Sequence, residues 1–397
     1  MDSSRKVRRV YLDHASATPT DERVIKAMEP FWSRNFGNPS AIYKEGVSAK
    51  KAVENSRKEI AGILKSRASE IIFTNGATES LNFAIRGTIL SWDKHKRKHP
   101  EIITSAIEHE AVLGACRALE KYGTKVHYVM PDENGIIKAG EVKKYLNKNT
   151  VLVSVMYANN EIGTIQPIKE IGRAIKLFKL KTKNSKLITN NYPLFHTDAV
   201  QATNYLNLDI NSLGVQLLTL NSAKVYGPKG IGILYIKNGI ELEPIIYGGG
   251  QEKGLRAGTE NVPLIVGLAK SLNIAQRMKE KESKRLTVLR DYFTKKLLEI
   301  KGVELNGDKS NRLPNNVNIS IDGIDNEFFV IQLDDTGIAC STRSACNTDN
   351  EKGSHVIISL GKSEKKAKES LRFTLGRSTT KKEIDYTLKT IKKLLSK

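Results

Sequence analysis

A lysine stands where an apolar segment gives way to a Gly/Pro turn, at Lys224 in the run QLLTLNSAKVYGPKG. Lysine forms Schiff bases with carbonyl compounds when burial lowers the pKa of its amine. If the apolar segment is a strand of a parallel sheet, Lys224 lies at its carboxyl end, where ligands bind in such sheets. Taken alone, a lysine in this position is more often an ordinary surface lysine.

Polar residues stand in the same way at the ends of other apolar segments. His109, Asn160 and Asp198 each lie at or just after such an end, and Gln201 follows Asp198. A carboxylate there can hold a protonated ring nitrogen, and amides can orient a polar ligand. Each residue also has a structural alternative, such as capping the next helix.

A short turn before these residues has the features of an anion site. The segment EIIFT is followed by Gly76, Ala77 and Thr78 and then by an amphipathic helical stretch. A helix that begins after such a turn offers free N–H groups and a hydroxyl to a phosphate. Small residues occur at many strand–turn–helix junctions, so the ordered series of turn, His, Asn, Asp, Gln and Lys is the more specific signal.

An α/β fold would bring these side chains together. Short apolar segments bounded by turn residues and joined through helical stretches predict a mainly parallel sheet with helices on both faces. The segments are EIIFT (70–74), EIITSA (101–106), VLVSVMY (151–157), LFHTDA (194–199), QLLTL (216–220) and GIGILYI (230–236).

The pattern changes after about residue 262. A long amphipathic helical region is followed by short strands and a terminal helix, which predicts a smaller α+β unit. We expect a large domain over 18–261 and a small C-terminal domain over 262–397, with residues 1–17 packing against the small one. The stretch 179–193 is interpreted as a long surface loop.

The chain is basic, with 64 Lys and Arg against 43 Asp and Glu and a net charge of +21 over 397 residues. The excess lies in Lys-rich stretches such as 277–301 and 350–397, away from the segments described above. Such stretches are typical of solvated helix faces, or of a surface for a nucleic acid or an acidic protein. Because the segments with unusual chemistry are close to neutral, we expect no direct binding of nucleic acid.

The three cysteines, Cys116, Cys340 and Cys346, form no CxxC pair and leave an odd thiol. This argues against a disulfide framework or a structural metal site and for a reducing compartment. No run approaches the roughly 20 apolar residues of a membrane span, and the N-terminus lacks the apolar core of a signal peptide. We expect a soluble cytoplasmic protein.

The motifs together resemble the class V aminotransferases, a family of pyridoxal phosphate enzymes, and within it the cysteine desulfurases of NifS and IscS type. The resemblance runs nearly end to end and is carried by YLDHASATP, FGNPS, GATES, EHEAV, NNEIGTIQPI, HTDAVQ, KVYGPKGIG, GGGQEKGLRAGTEN, SACNT and LRFTLGR. It implies a fold type I architecture, pyridoxal 5′-phosphate as cofactor, and a homodimer.

The resemblance assigns roles residue by residue. Lys224 matches the lysine that holds the cofactor covalently, Asp198 the carboxylate that keeps the pyridine nitrogen protonated, and His109 the imidazole stacked on the ring. The remaining matches are Gln201 and Asn160 near the ring phenolate and substrate, Ala77 and Thr78 in the phosphate cradle, Thr259 as a phosphate ligand given by the other subunit, and Asn38 and Arg372 at the substrate carboxylate.

Cys346 matches the nucleophile that family members with a long mobile loop carry before the RFTLG strand. The implied activity converts L-cysteine to alanine and leaves the sulfur as a persulfide on Cys346, since a thiolate is the attacking form. The implied acceptors are an iron–sulfur scaffold protein or a tRNA-thiolation enzyme. Cys116 and Cys340 are interpreted as structural.

One motif departs from the family pattern. The family has Ser-x-His-Lys before the Schiff-base position, where Ser and His contact the cofactor phosphate, and this chain has Asn221, Ser222, Ala223 and Lys224. Asn221 can donate through its amide and Ser222 supplies a hydroxyl one position late. Two alternatives therefore stay open: another class V enzyme such as a selenocysteine lyase, or a weakly catalytic sulfur-relay scaffold.

Overall fold

The computed structural model describes residues 9–94, 99–182, 192–342 and 353–396. Its strands are β1 Val10–Tyr11, β2 Ile71–Thr74, β3 Glu101–Ser105, β4 Lys125–Val129, β5 Thr150–Ser154, β6 Leu194–Asp198, β7 Leu217–Asn221, β8 Gly232–Ile236, β9 Val303–Leu305, β10 Asn316–Ile321, β11 Ile338–Ala339 and β12 Ser370–Thr374.

Its helices are α1 Glu22–Met28, α2 Pro30–Ser33, α3 Lys44–Leu64, α4 Ala77–Lys94, α5 Glu110–Glu120, α6 Ala139–Tyr145, α7 Ile168–Thr182, α8 Ile210–Leu213, α9 Val262–Leu298, α10 Asn326–Asp335, α11 His355–Ser359, α12 Glu364–Lys368 and α13 Lys381–Leu395. Among the helices of the described ranges, none has the length and apolar character needed to cross a bilayer.

The large sheet has the strand order β2-β8-β7-β6-β5-β3-β4 in the described residues. Its neighbouring strands pair in parallel except where β8 lies between β7 and β2. The strand β8 is antiparallel because a short connection joins it directly to β7. Successive strand residues face opposite sides, so Phe195 and Leu194 pack into two different cores. The mainly parallel α/β sheet predicted from the sequence is confirmed.

One strand of this sheet was not predicted. Among the described strands, β4 pairs with β3 alone and exposes part of its surface, so its sequence KVHYV lacks a continuous apolar run. Burial on both faces is what makes the inner strands recognisable, and an edge strand lacks that signal.

A smaller antiparallel sheet, in the order β12-β10-β9, has a core of its own. Val10 and Leu12 pack into this core, and β1 pairs in parallel with β11. The helix α9 spans both regions, with Leu268 in the core of the large sheet and Phe293 in the core of the small one. The N-terminal segment is thereby held beside the carboxyl edge of the large sheet.

The predicted surface loop 179–193 is wrong at its beginning. The helix α7 continues to Thr182, with Lys179 and Lys181 in its last turn. Lysines near a helix C-terminus interact favourably with the helix dipole, so the Lys-rich composition does not end the helix. Residues 183–191 lie outside the described residues.

Candidate active site

A cavity of about 150 Å³ lies at the carboxyl edge of the large sheet. It collects most of the residues that the sequence analysis selected, from five different strand ends and the N-terminal segment. The lining residues are Ala15, Ser16, Ala77, Thr78, Leu81, His109, Met156, Ala158, Asn160, Asp198, Val200, Gln201, Asn221, Lys224 and Arg372.

Lys224 enters the cavity from a 3-10 turn, Ser222–Lys224, that directly follows β7. Its carbonyl oxygen accepts a hydrogen bond of 2.7 Å from Asn204 Nδ2, which fixes the turn. Its Nζ donates a hydrogen bond to the carbonyl oxygen of Ser16. The amine is therefore held inside the cavity rather than on the outer surface.

Asp198 ends β6 and is buried. Its Oδ1 accepts the backbone N–H of Val200 at 2.9 Å, and no described residue bonds to Oδ2. Burial raises the pKa of this carboxyl to about 6, although the Val200 N–H and the charge of Lys224 act in the opposite direction. A cation bound beside Oδ2 would favour the ionised form.

His109 caps α5, and its Nδ1 accepts a hydrogen bond of 3.1 Å from the backbone N–H of Ala111. An acceptor at Nδ1 leaves Nε2 as the protonated nitrogen of a neutral ring. Burial, followed by the charge of Lys224, lowers the pKa of His109 to about 4. The imidazole is thus neutral near pH 7 and able to exchange a proton.

Ala77 and Thr78 form the N-terminus of α4, an 18-residue helix that opens directly onto the cavity. Gly76, before them, has φ +132°, a conformation that other residues rarely adopt. The first N–H groups of a helix have no partner within it, so this end attracts an anion. Asn221 contributes its side chain nearby, with its oxygen accepting from Ala223 N–H at 3.4 Å.

Arg372, on β12, brings a buried guanidinium from the small sheet into the cavity. Its Nη2 donates to Asp13 Oδ1 at 2.8 Å and to Ser16 Oγ at 2.7 Å. Its Nη1 donates to the carbonyl oxygen of Asn160 at 3.0 Å. These contacts fix the orientation of the guanidinium, and its second Nη1 hydrogen has no acceptor among the described residues.

Two amides complete the lining. Gln201 Nε2 donates to the carbonyl oxygen of Ala15 at 3.1 Å, which leaves its side-chain oxygen for a ligand. Asn160 is buried, and its side-chain amide has no hydrogen-bond partner in the part of the chain that the structure describes. An unpaired buried amide is costly, so a ligand in the cavity is the natural partner for it.

Three of the predicted site residues that the structure describes do not line this cavity. Ser222 is fully buried on the other side of the turn, where a side chain on Gly227 would lie 2.1 Å from its hydroxyl oxygen. Residues three apart in a 3-10 turn lie on the same side, so Asn221 faces the cavity together with Lys224 and Ser222 does not. Asn38 and Thr259 are exposed at the surface, and Cys346 lies outside the described residues.

Sequence reasoning missed the part played by the N-terminal segment. Ser16 contacts both Lys224 and Arg372, and Asp13 pairs with Arg372. The sequence offers one indication, the run of small and polar residues in YLDHASATP. The family resemblance includes this run but implies no role for its individual residues. Asp13 and Arg372 are 359 residues apart in the chain, so spacing alone does not reveal their contact.

A second layer of polar contacts ties the cavity to the segment that begins at Gly353. Ser354 Oγ donates to Glu161 Oε2 at 2.5 Å, and His355 Nε2 lies 3.1 Å from the carbonyl oxygen of Glu108. Glu108 Oε1 accepts from Ser105 Oγ at 2.5 Å and from Met156 N–H at 2.9 Å. Burial raises the pKa of Glu108 to about 8, so this carboxyl is protonated near pH 7.

Known proteins are similar to this chain over nearly its whole length. A cysteine desulfurase IscS of Dictyoglomus turgidum is 43% identical over 391 residues, which are 98% of this chain and 95% of that protein. A solved NifS-like protein superposes with a TM-score of 0.88 at 35% identity, covering 98% of this chain and all of that one. The solved structure of SspA in complex with cysteine has a TM-score of 0.79 at 35% identity, covering 92% and 98%.

The family model of the class V aminotransferases matches residues 10–387, a range that holds β1, every described strand of the large sheet and the first part of α13, up to residue 387. The same range contains all the residues that line the cavity. By this match, and by the full-length similarity to the relatives above, the chain belongs to the class V aminotransferase family.

Proposed function

We propose that this protein is a pyridoxal phosphate-dependent L-cysteine desulfurase that forms alanine and carries the sulfur as a persulfide on Cys346. The observation that carries the proposal is that Lys224 and Asp198 line one cavity together with a neutral His109. The full-length similarity to cysteine desulfurases supports the choice of substrate.

The residues of the cavity fit the cofactor. The Asp198 carboxyl has a free Oδ2 that can accept from a protonated ring nitrogen, and the charge of that nitrogen would offset the effect of burial and keep the carboxyl ionised. The N-terminus of α4, with Thr78, suits the phosphate, and Lys224 supplies the amine that holds the aldehyde. When bound, the cofactor acts as an electron sink for the bonds around the substrate α-carbon.

The protein side of the reaction consists of positioning and proton transfer. Arg372 would bind the substrate carboxylate, because its guanidinium is held at the cavity by Asp13 and Ser16. The Lys224 amine and the neutral His109 imidazole would move protons at the substrate. The Asn160 amide would orient the substrate, since it is buried and has no partner among the described residues.

The sulfur step requires a thiolate. Burial raises the pKa of Cys116 to about 12 and holds the pKa of Cys340 far above its ordinary value, so neither is a good nucleophile. We assign the step to Cys346. Its thiolate forms an S–S bond to the substrate sulfur while the substrate C–S bond breaks. The electron pair of that bond stays on carbon and takes up a proton, which gives alanine and the persulfide.

We further propose a homodimer in which Thr259 contributes to the partner's phosphate site. Thr259 is exposed and does not reach the cavity of its own chain. Large apolar side chains are exposed nearby in sequence to Asn38, and Ile42 is 96% exposed. Exposed large apolar side chains are a feature of interfaces, and this supports the proposal. Three further points stay predictions. They are the sulfur acceptor (an iron–sulfur scaffold or a tRNA-thiolation enzyme), the domain boundary at 261/262 and the cytoplasmic location.

The proposal is tested by product analysis of the cofactor-loaded protein. With L-cysteine and a reductant, alanine and sulfide should appear in equal amounts, and Lys224→Ala should abolish both along with the visible absorption band of the bound cofactor. Parallel assays with L-selenocysteine and with other amino acids test specificity. A protein that binds the cofactor but releases no alanine from cysteine would contradict the proposal.

A further inference from the structure

A second and larger cavity, of about 450 Å³, lies at the opposite edge of the large sheet. Its walls come from α7, from α8 and from the residues that precede β7 and follow β8. The parallel strands begin at this edge, and β8 ends there because it is antiparallel. The cavity is thus separate from the one that holds Lys224 and Asp198.

Its charge is one-sided. Five cationic side chains line it, and none of its described lining residues is acidic; the cations are Lys169, Arg173, Lys176, Lys179 and Lys237. Lys169, Arg173 and Lys176 are spaced by four and three residues, so they lie along one face of α7. Within the described ranges, no carboxylate comes within 4.0 Å of the side-chain nitrogens of these three residues or of Lys237.

The cations also converge in space. Burial lowers the pKa of Lys179 to about 8, and the positive charge of Lys237, from a different element, lowers it further. Two ammonium groups that repel each other across a cavity form a site where a bound anion is stabilised by both. The repulsion is a structural cost that an anionic ligand would remove.

The rest of the lining suits an organic group. Ile175, Leu213 and Val215 provide apolar surface. Tyr235 is 1% exposed, and its hydroxyl has no hydrogen-bond partner in the part of the chain that the structure describes. A volume of this size is typical of pockets for small molecules, whereas a nucleic-acid strand or a protein is bound by a more open surface.

We propose that this cavity binds a small organic di- or triphosphate of nucleotide size. The phosphate groups would be bound by Arg173, Lys176 and Lys237, and the organic part would pack against Leu213 and Val215 with the Tyr235 hydroxyl as a polar contact. This is a binding site outside the desulfurase chemistry, and it does not depend on the function proposed above.

The test is calorimetric titration of the cofactor-loaded protein, so that the active-site phosphate position is already filled. The probes are ATP and inorganic tripolyphosphate. The variant Arg173→Gln/Lys176→Gln/Lys237→Gln removes three exposed charges, and glutamine is tolerated in helices. The matched control Lys382→Gln/Lys389→Gln/Lys393→Gln removes three exposed charges from one stretch of α13.

ATP should bind the parent protein and the α13 control equally and should bind the cavity variant about a hundredfold or more weakly, since each charge-assisted contact contributes about tenfold. Tripolyphosphate should bind more weakly than ATP because it lacks the organic part. The proposal is overturned if ATP does not bind, if the cavity variant and the control bind it alike, or if tripolyphosphate binds as tightly as ATP.

Discussion

At the scale of residues, the cavity at the carboxyl edge holds charged and titratable side chains that an anionic cofactor with a basic ring would complement. Burial raises the pKa of Asp198 and lowers that of His109, so in both groups the charged form is disfavoured relative to water. The charge of Lys224 adds to the lowering of the His109 pKa and opposes the raising of the Asp198 pKa. Perturbed groups that share one cavity are typical of catalytic sites.

The turn before Lys224 gives a prediction about the departure from the family motif. Asn221→Ala should weaken cofactor binding by about tenfold or more, because it removes an amide from the cavity lining. Ser222→Ala should leave the affinity unchanged, because the Ser222 hydroxyl is buried away from the cavity and has no partner among the described residues. Cofactor titration followed by absorbance measures both, and equal losses in the two variants would contradict this reading of the turn.

Glu108 gives a prediction about pH. Its folded pKa is about 8 against an ordinary value of 4.5, so the folded protein keeps a proton that the unfolded chain loses. The contribution of Glu108 to stability is therefore fully present below pH 4.5 and is lost as the pH rises towards 8. Glu108→Gln should gain about 1 kcal/mol or more over the parent between pH 5 and pH 8.

Denaturant unfolding at the two pH values measures this difference. The lowered pKa values of His109 and His196 make stability fall in the acid range in both proteins, so that effect cancels in the comparison. A stability difference that does not change with pH would mean that Glu108 is ionised in the fold.

At the scale of elements, strand ends could be predicted from the sequence and long-range partners could not. All six segments assigned to the large sheet match strands to within one residue at their start or at their end. The pairing of Asp13 with Arg372 was not predictable, because it depends on how β1 and the small sheet meet. Edge strand β4 was missed because its sequence is half polar.

The helix α11 gives the prediction at this scale. Ser354 caps α11 and also donates to the buried carboxylate of Glu161, in the segment that follows residues 343–352. Ser354→Ala should lower the free energy of unfolding by about 2 kcal/mol, from the lost cap and the lost hydrogen bond. It should slow sulfur transfer and leave cofactor affinity unchanged, since no cavity residue is altered.

Ser363 offers a matched control, because it caps the neighbouring helix α12 at the surface and has no buried carboxylate as partner. Ser363→Ala should cost about 1 kcal/mol and leave sulfur transfer at the parent rate. If the two variants lose the same stability and activity, the contact with Glu161 does not anchor the segment.

At the scale of the whole molecule, the proposed dimer makes each site depend on two chains. A Lys224→Ala chain keeps a normal Thr259, and a Thr259→Ala chain keeps a normal Lys224. If Thr259 serves the partner's site, a mixed dimer of the two contains one intact site and regains activity at limiting cofactor. Activity of the refolded mixture, compared with each variant alone, measures this, and a mixture no more active than its components would place Thr259 elsewhere.

The net charge of +21 also has its meaning at this scale. Part of the excess lines the 450 Å³ cavity along α7, which composition alone could not locate. The cavity at the carboxyl edge is more balanced in charge. Asp13 pairs with Arg372 there, and Asp198 lines the same cavity as Lys224. From the sequence, the charge is expected on solvated helix faces or on a docking surface. The fold shows that some of it lines a cavity instead.

One experiment tests most directly whether Cys346 receives sulfur from cysteine in the cavity at the carboxyl edge. The cofactor-loaded protein is treated with L-cysteine, alanine is quantified, and the chain is digested without reductant to find the extra sulfur by mass spectrometry. The account predicts a persulfide on Cys346, loss of alanine formation in Cys346→Ser, and near-parent rates in Cys116→Ser. Alanine formation that continues at the parent rate in Cys346→Ser, or sulfur found on Cys116 or Cys340, would contradict it.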